Sequence, residues 1–214
     1  MIDIPLNPTQ LLDEADVRTR RLREIRETLN LGPPASTEVD SCLAEVKQTI
    51  FELIQPEACF REIGGSATTT GLNLGSDLTL KHKKLTNMGD QINGIYAYAL
   101  SLGYDSSTMM QKLNNDYALY HFHYYIARTC LLLINRSFYD QVCSDYPDSS
   151  WHRFPVLVQM DDNQALEPIK RHYWDPMQIA RILAKLPDTR TQFQVTDAGC
   201  ITPIFSIIGV MVST

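Results

Sequence analysis

The feature that most constrains the fold of this chain is a glycine-rich loop between two strand-like runs. Residues 59–63 have the apolar and aromatic content of a short strand, and they run directly into Gly64 and Gly65. A loop of small residues follows, and residues 76–80 read as a second strand. Helical patterns lie on both sides of these strands in the sequence. We therefore expect an α+β fold with a small mixed sheet flanked by helices.

Helical periodicity surrounds this loop. Apolar residues over 39–53 recur at steps of three and four after a capping-box-like start, and Pro56 must end that helix. Residues 117–134 are apolar on most faces, which is typical of a buried helix. A further helix is predicted to begin near Pro176. Residues 191–212 are rich in β-branched and aromatic side chains and predict two strands.

These elements divide the chain into four segments. An N-terminal helix is predicted over residues 1–34; its arginines form either a basic strip for nucleic acid or, as their acidic neighbours favour, a solvated face. The first part of the sheet-bearing core is expected over 35–85 and the second part over 185–214. The stretch between them, 86–184, is predicted to be a mostly helical insertion.

Composition narrows the classes of function. The chain has 19 Lys and Arg against 25 Asp and Glu, and its formal net charge of -6 argues against nucleic-acid binding driven by overall charge. No apolar run reaches the roughly 18 residues of a membrane span, so we expect no membrane partner, and no secretory signal is visible. The cysteine count of 5 is odd, with no close pairing. We expect reduced thiols in an intracellular protein.

The glycine-rich loop also carries the clearest chemical signal. Gly64 and Gly65 let the backbone approach a ligand closely, and successive N–H groups with the hydroxyl of Ser66 can cradle a phosphate. On the second strand Asp77 and Thr79 point the same way. Carboxylates at those two positions, with a third from a neighbouring strand, would bind two divalent cations about 3.5–4 Å apart. The alternative is a glycine-rich turn with Asp77 as a solvated residue at a sheet edge.

This stretch resembles the nucleotidyltransferase superfamily typified by DNA polymerase β, and most closely the terminal RNA nucleotidyltransferases, which are poly(A) and poly(U) polymerases. The family signature is a Gly-Ser pair, a spacer and then a Ser-Asp pair. It is matched in order and spacing by Gly65-Ser66, residues 70–74 and Ser76-Asp77. The preceding helix matches as well, and residues 180–208 resemble a later part of the family's core more weakly.

The resemblance implies a sheet of the nucleotidyltransferase type and transfer of a nucleotide, from a triphosphate such as ATP, to an RNA 3′ end. It implies Mg2+ or Mn2+ as the cofactor. It assigns Gly64, Gly65, Ser66 and Ser76 to nucleotide binding, and Asp77 to both catalysis and metal binding. It also puts Ser66 in a turn between two paired strands. The alternatives are a non-catalytic scaffold of this fold, or a helical interaction protein, either of which would bind a protein partner.

The sequence departs from the family where the chemistry is most demanding. The family's second acid falls on Thr79, which is uncharged and a poor ligand for a divalent cation. The third acid is expected after residues 203–204, but no Asp or Glu follows Asp197. The family's large second lobe, which holds the base, has no counterpart here. One carboxylate cannot hold two metal ions, so we expect an incomplete metal site and little or no nucleotide-adding activity.

Two polar clusters near these strands have alternative interpretations. Asp161 and Asp162 follow a candidate strand at residues 155–160 and could replace the missing acids, although Asp-Asp-Asn is also ordinary turn chemistry, which we favour. Residues 81–84, Lys-His-Lys-Lys, follow the second strand directly. They either contact phosphates of a nucleotide or RNA, or form an exposed polar turn.

The predicted buried helix holds two further candidate sites. His121, His123 and Cys130 are potential zinc ligands, but residues two apart diverge on a helix and no fourth ligand is nearby in the sequence, so we expect no metal there. Five aromatic residues over 117–125 could stack bases. Such clusters more often belong to a hydrophobic core, and we expect the same here.

Overall fold

The computed structural model describes residues 37–69, 71–75, 78–81, 83–156, 176–186, 193–196 and 201–214. Its α-helices are α1 (Thr37–Leu53), α2 (Lys83–Met88), α3 (Ser106–Lys112), α4 (Tyr117–Asp145) and α5 (Pro176–Leu183). Its strands are β1 (Glu57–Glu62), β2 (Ser66–Thr68), β3 (Gly71–Asn73), β4 (Thr79–Lys81), β5 (Gly94–Ser101), β6 (Trp151–Val156), β7 (Gln194–Val195), β8 (Ile201–Thr202) and β9 (Ser206–Ser213). None of the helices in the described ranges is long and apolar enough to cross a membrane.

The fold is α+β, as expected, but its sheets are not mixed. The main sheet has the strand order β1-β5-β9-β6, and every pair of neighbours in it is antiparallel. The smaller sheets, β2-β3-β4 and β7-β8, are antiparallel as well. The prediction of a mixed sheet is therefore wrong for the described strands. The two long strands β5 and β9 pair in opposite directions along their whole length, and each edge strand then adds to them antiparallel.

Two hydrophobic layers cover the two faces of the main sheet. On one face α1 and α4 pack over the sheet, and Val46, Ile134 and Phe138 join a core with Leu100 of β5. On the other face the small sheet β2-β3-β4 and α5 pack over a second core that contains Ala97 of β5. The main sheet is thus the middle of three layers, which is a stable way to bury a sheet on both faces.

The helices that pack on the main sheet lie close to the positions that the sequence predicts. The helix predicted over 39–53 is confirmed as α1, which ends before Pro56, and the one predicted near Pro176 is confirmed as α5. The buried helix predicted over 117–134 is confirmed and continues to Asp145. The strand predicted over 59–63 corresponds to β1. Near the C-terminus, the described residues form three strands, β7, β8 and β9, where two were predicted.

Strand β5 departs from the prediction that residues 86–184 are mostly helical. Tyr98 and Leu100 face the helices, whereas Ala97 and Ala99 face the small sheet, so the strand is buried on both faces. Such a strand lacks the apolar–polar alternation of a half-exposed one, and alanine by itself favours helix. Strands β5 and β6, which lie within residues 86–184, are both members of the main sheet.

Several expectations concern residues outside the described ranges. These are the N-terminal helix over 1–34 and four residues of interest, Ser76, Asp77, Asp161 and Asp162.

Candidate functional site

The small sheet aligns three polar side chains on its outer face. Its register pairs Ser66 of β2 with Asn73 of β3, and Asn73 with Thr79 of β4. All three are exposed, whereas the adjacent Leu72 and Leu80 are buried in the second core. Neighbouring strands lie about 4.8 Å apart, so the backbones of Ser66 and Thr79 are about 10 Å apart. We call these three residues the polar row.

Ser66 begins strand β2 and does not lie in a turn between two paired strands, so that expectation is wrong. Strand β1 pairs with β5 in the main sheet, whereas β2 pairs with β3 in the small sheet. The change of sheet occurs directly after Ile63, whose N–H still donates to the carbonyl of Ile95 in β5 at 2.9 Å. Gly64 and Gly65 then carry the chain from one layer to the next.

The two glycines of this link have different surroundings. Gly65 has φ +143°, and a Cβ on it would stand 2.6 Å from the carbonyl oxygen of Asn73 and 3.0 Å from Cδ1 of Ile95. Its close approach is therefore to the chain's own strand β3, and not to a ligand as the sequence suggested. Gly64 has φ +63°, and no described atom lies within 4 Å of its Cβ position. Its surface remains open beside Ser66.

The turn between β3 and β4 lies at the same end of the small sheet as Gly64 and Ser66. The N–H of Leu74 donates to the carbonyl of Leu78 at 2.8 Å, which closes the turn. The side-chain oxygen of Asn73 accepts from the N–H of Gly75 at 3.1 Å, so this member of the polar row also supports the turn. The register therefore brings the Gly-Ser half of the motif and the flanks of its Ser-Asp half to one edge.

A cation that the sequence analysis did not single out reaches this edge. Lys185 follows α5, and its Nζ lies 4.0 Å from where a Cβ on Gly75 would stand. Helix α5 is held against the small sheet by the buried Ile182, and the side-chain amide of Gln178 donates to the carbonyl of Thr79 at 3.1 Å. No local pattern distinguishes Lys185 from other surface lysines, because its position depends on a contact between segments that are distant in sequence.

The described residues of the basic run at 81–84 begin at the other end of the small sheet from this edge. Lys81 pairs with Gly71, which is the opposite end of β3 from Asn73. Lys81 and Thr79 are both exposed on the outer face, with the buried Leu80 between them. Lys81 thus lies two residues, about 7 Å, further along the strand than the polar row. Helix α2 follows directly and packs against β2 and β3, with Leu85 buried in the second core.

The described residues provide no metal site. Among them, no group of three or more His, Cys, Asp or Glu side chains is placed to hold a metal ion. The polar row supplies uncharged oxygens, and Thr79 occupies the position where the family resemblance requires an acid. Divalent cations such as Mg2+ prefer carboxylate oxygens, so a metal at this edge would depend on Asp77, which lies outside the described ranges.

The two histidines of α4 diverge, as expected from their spacing. His121 is exposed, whereas His123 is fully buried, and its Nε2 lies 2.9 Å from the hydroxyl of Tyr104. Burial lowers the pKa of His123 to about 4, so its ring is neutral near pH 7. Burial likewise raises the pKa of Tyr104. His123 is therefore a buried, neutral side chain of the helix that packs on the main sheet.

The aromatic cluster of α4 is only partly a core feature. Tyr120, Phe122 and Tyr124 are half-buried, and Phe122 and Tyr124 pack against the first core. Tyr117 and Tyr125 instead point outward and are 78% and 50% exposed. The expectation that the whole cluster belongs to the core is therefore wrong for these two, because they fall on the helix face opposite the sheet.

The sequence matches none of the family models against which it was compared. A search of curated proteins likewise finds no significant match.

Proposed function

We propose that this chain binds the triphosphate of a nucleotide, with Mg2+ or Mn2+, at the edge formed by residues 64–66 and the turn at Gly75. The observation that carries the proposal is the position of Lys185, whose Nζ reaches that turn from the end of α5, a segment distant in sequence. The turn and Ser66 belong to one sequence motif, and the register of the small sheet brings the two together. A cation is thereby added to a set of hydroxyl, amide and backbone donors.

This donor set suits a phosphate. Lysine binds phosphate as a point charge, and the hydroxyl of Ser66 can donate a hydrogen bond from the outer face. The open surface at Gly64 leaves room for an oxygen to approach the backbone. In this proposal Gly64, Ser66 and Ser76 bind the nucleotide, Gly65 holds the loop against β3, and Asp77 is the ligand of the divalent cation.

We propose that the protein is an inactive relative of the terminal RNA nucleotidyltransferases. Transfer of a nucleotide to an RNA 3′ end requires two metal ions that bridge the attacking and leaving oxygens. The polar row offers Thr79 where a second carboxylate is needed. We therefore propose nucleotide binding with little or no transfer, and RNA as a partner only if transfer occurs.

The second candidate is a protein-binding scaffold with no nucleotide. The observation in its favour is the outward-facing aromatic surface of α4, where Tyr117 and Tyr125 are exposed on the opposite side of the main sheet from the polar row. Exposed apolar surface of this kind is typical of interaction sites. The two functions occupy separate surfaces, so they can be tested independently.

Equilibrium binding of a fluorescent ATP analogue in Mg2+ tests the first candidate. We expect saturable binding that Lys185→Ala weakens by about 10-fold or more, since a hydrogen bond to a charged group contributes about 1.5–3 kcal/mol. Lys185→Arg should retain most of the affinity. Lys112→Ala is the matched control, because Lys112 is a half-exposed lysine on α3 that pairs with Glu52 and lies in the other layer. Equal loss in both alanine variants, or no binding at all, would refute the proposal.

Primer extension separates binding from transfer. With an RNA primer and each ribonucleotide, in Mg2+ and in Mn2+, we expect little or no product from the wild-type chain. Thr79→Asp alone should not restore activity, because one carboxylate is still missing. Robust extension that Asp77→Ala abolishes would show that the chain is an active enzyme with acids from elsewhere, of which Asp161 and Asp162 are the first to test.

A further inference from the structure

The outward face of α4 carries a continuous stripe of exposed side chains in the described part of the chain. At 3.6 residues per turn, its six members fall within an arc of about 100° on the helix surface. The members, which we call the α4 stripe, are Tyr117, His121, Tyr125, Arg128, Leu132 and Arg136.

The α4 stripe is unusual for the outer face of a core helix. Tyr125 and Leu132 are 50% and 51% exposed, although the opposite side of the same helix buries Ile126 and Ile134 completely. The stripe also lacks acidic residues, since no Asp or Glu occurs over residues 117–139 in a chain whose net charge is -6. An exposed face of this length that combines apolar and aromatic groups marks an interaction surface.

The spacing of the α4 stripe reads the same in both directions, with steps of 4, 4, 3, 4 and 4 residues. If two copies of α4 lie antiparallel about a two-fold axis midway between Tyr125 and Arg128, each Tyr125 faces Arg128 of the other copy. The same operation sets Tyr117 opposite Arg136. It also sets His121 opposite Leu132. The stripe is therefore complementary to itself, which is the requirement of an isologous interface.

We propose that the α4 stripe is the contact surface of a homodimer, in which two copies of α4 pack antiparallel. Each dimer contains four pairs of an arginine with the ring of a tyrosine, a combination in which the guanidinium is attracted to the aromatic face. The ion pair of Arg136 with Asp140 is long, at 3.8 Å, and exposed, so it is a weak competitor for the guanidinium.

The interface is small, so the dimer should be weak. A standard interface takes about 20–30 residues from each side, whereas the α4 stripe with its flanking positions provides fewer. We therefore expect a dissociation constant on the order of 10 µM. Sedimentation equilibrium of the full chain, over roughly 1–500 µM, should show a reversible change from monomer to dimer. A chain that stays monomeric throughout would overturn the proposal.

Variants at one facing pair test the register directly. His121 and Leu132 are three helical turns apart in one copy and cannot pair within it, but they face each other across the proposed axis. His121→Lys and Leu132→Glu should each raise the dissociation constant by about 10-fold or more. The double variant should return it to near the wild-type value, because a lysine then faces a glutamate twice per dimer.

Two further variants complete the design. His121→Lys combined with Leu132→Lys presents like charges and should not rescue the dimer. Phe51→Glu changes an exposed aromatic residue of α1 that lies outside the stripe, and it should leave dimerisation unchanged; far-UV circular dichroism checks that every variant is folded. Failure of the oppositely charged double variant to recover would refute this register. Binding of a single-stranded oligonucleotide by a wild-type monomer would assign the stripe to nucleic acid instead.

Discussion

The two adjacent glycines of the candidate site provide a sharp test of how the loop is built. In Gly65→Ala, a side chain is forced into a φ of +143°, which only glycine adopts readily, at a cost of about 1–3 kcal/mol. Its Cβ would also stand 2.6 Å from the backbone oxygen of Asn73, and such overpacking costs about 1–3 kcal/mol more. Alanine also lowers the conformational entropy of the unfolded chain, and this offsets about 0.4–1 kcal/mol of the loss. The net expectation is a loss of about 1–5.5 kcal/mol in the free energy of unfolding.

Gly64→Ala is the matched control, because it introduces the same methyl group one residue earlier. Gly64 has φ +63°, in the left-handed helical region, where a non-glycine residue costs about 1–2 kcal/mol. No described atom lies within 4 Å of its Cβ position, so no steric cost is added. With the same offset of about 0.4–1 kcal/mol from the unfolded chain, the net loss in the free energy of unfolding should be about 0–1.6 kcal/mol.

Urea unfolding followed by circular dichroism measures both losses. For a chain of this size each kcal/mol also lowers Tm by about 2–4 °C, so thermal melts give a second reading. We expect Gly65→Ala to be the more damaging variant by at least about 1 kcal/mol. Equal losses, or a neutral Gly65→Ala, would show that Gly65 is not packed against β3 as described. The glycine would then be free for the ligand contact that the sequence first suggested.

Three other predictions follow from the packing. Because burial lowers the pKa of His123 to about 4, below its usual 6.5, the folded state binds fewer protons than the unfolded state; stability should fall by up to about 3 kcal/mol as pH decreases from 6.5 to 4, and His123→Phe should flatten that part of the urea-unfolding profile. Gly209→Ala should cost about 1–3 kcal/mol in urea unfolding, since its Cβ would stand 2.7 Å from the ring of Tyr98; a neutral result would contradict the close strand packing. Arg153→Lys should lose about 1–2 kcal/mol of unfolding free energy, because the guanidinium lies over the ring of Tyr139 at 4.1 Å and also donates hydrogen bonds to α4; an unchanged Tm would count against both contacts.

Local signals allowed much of the helical structure to be predicted. The apolar steps of α1 and the stop at Pro56 act within a few residues of each other, so they do not depend on the rest of the fold. The same holds for the start of α5 at Pro176. The strand that leads into Gly64 was also recognisable, because aromatic and apolar residues run directly into a glycine pair.

Only part of the candidate site could be predicted from the sequence. The motif around Ser66 drew attention to this edge of the small sheet, but the roles of its two glycines differ in a way that the sequence could not indicate. Gly65 is required by the carbonyl of Asn73, which belongs to another strand. Lys185 could not be found at all, since its approach to Gly75 follows from the packing of α5 on the small sheet.

What the sequence determined by itself is therefore the set of elements whose signals are local: α1, α4, α5, β1 and the glycine-rich loop. Only the tertiary structure decided that residues 94–101 form a central strand. There the tyrosines fit because helices cover one face, and the alanines fit because the small sheet lies close on the other. The tertiary structure also decided that the sheets are antiparallel. Strand order and the contacts between distant residues depend on which apolar surfaces are buried against one another. The free energy of that burial comes from the packed layers together, and no single segment contains it.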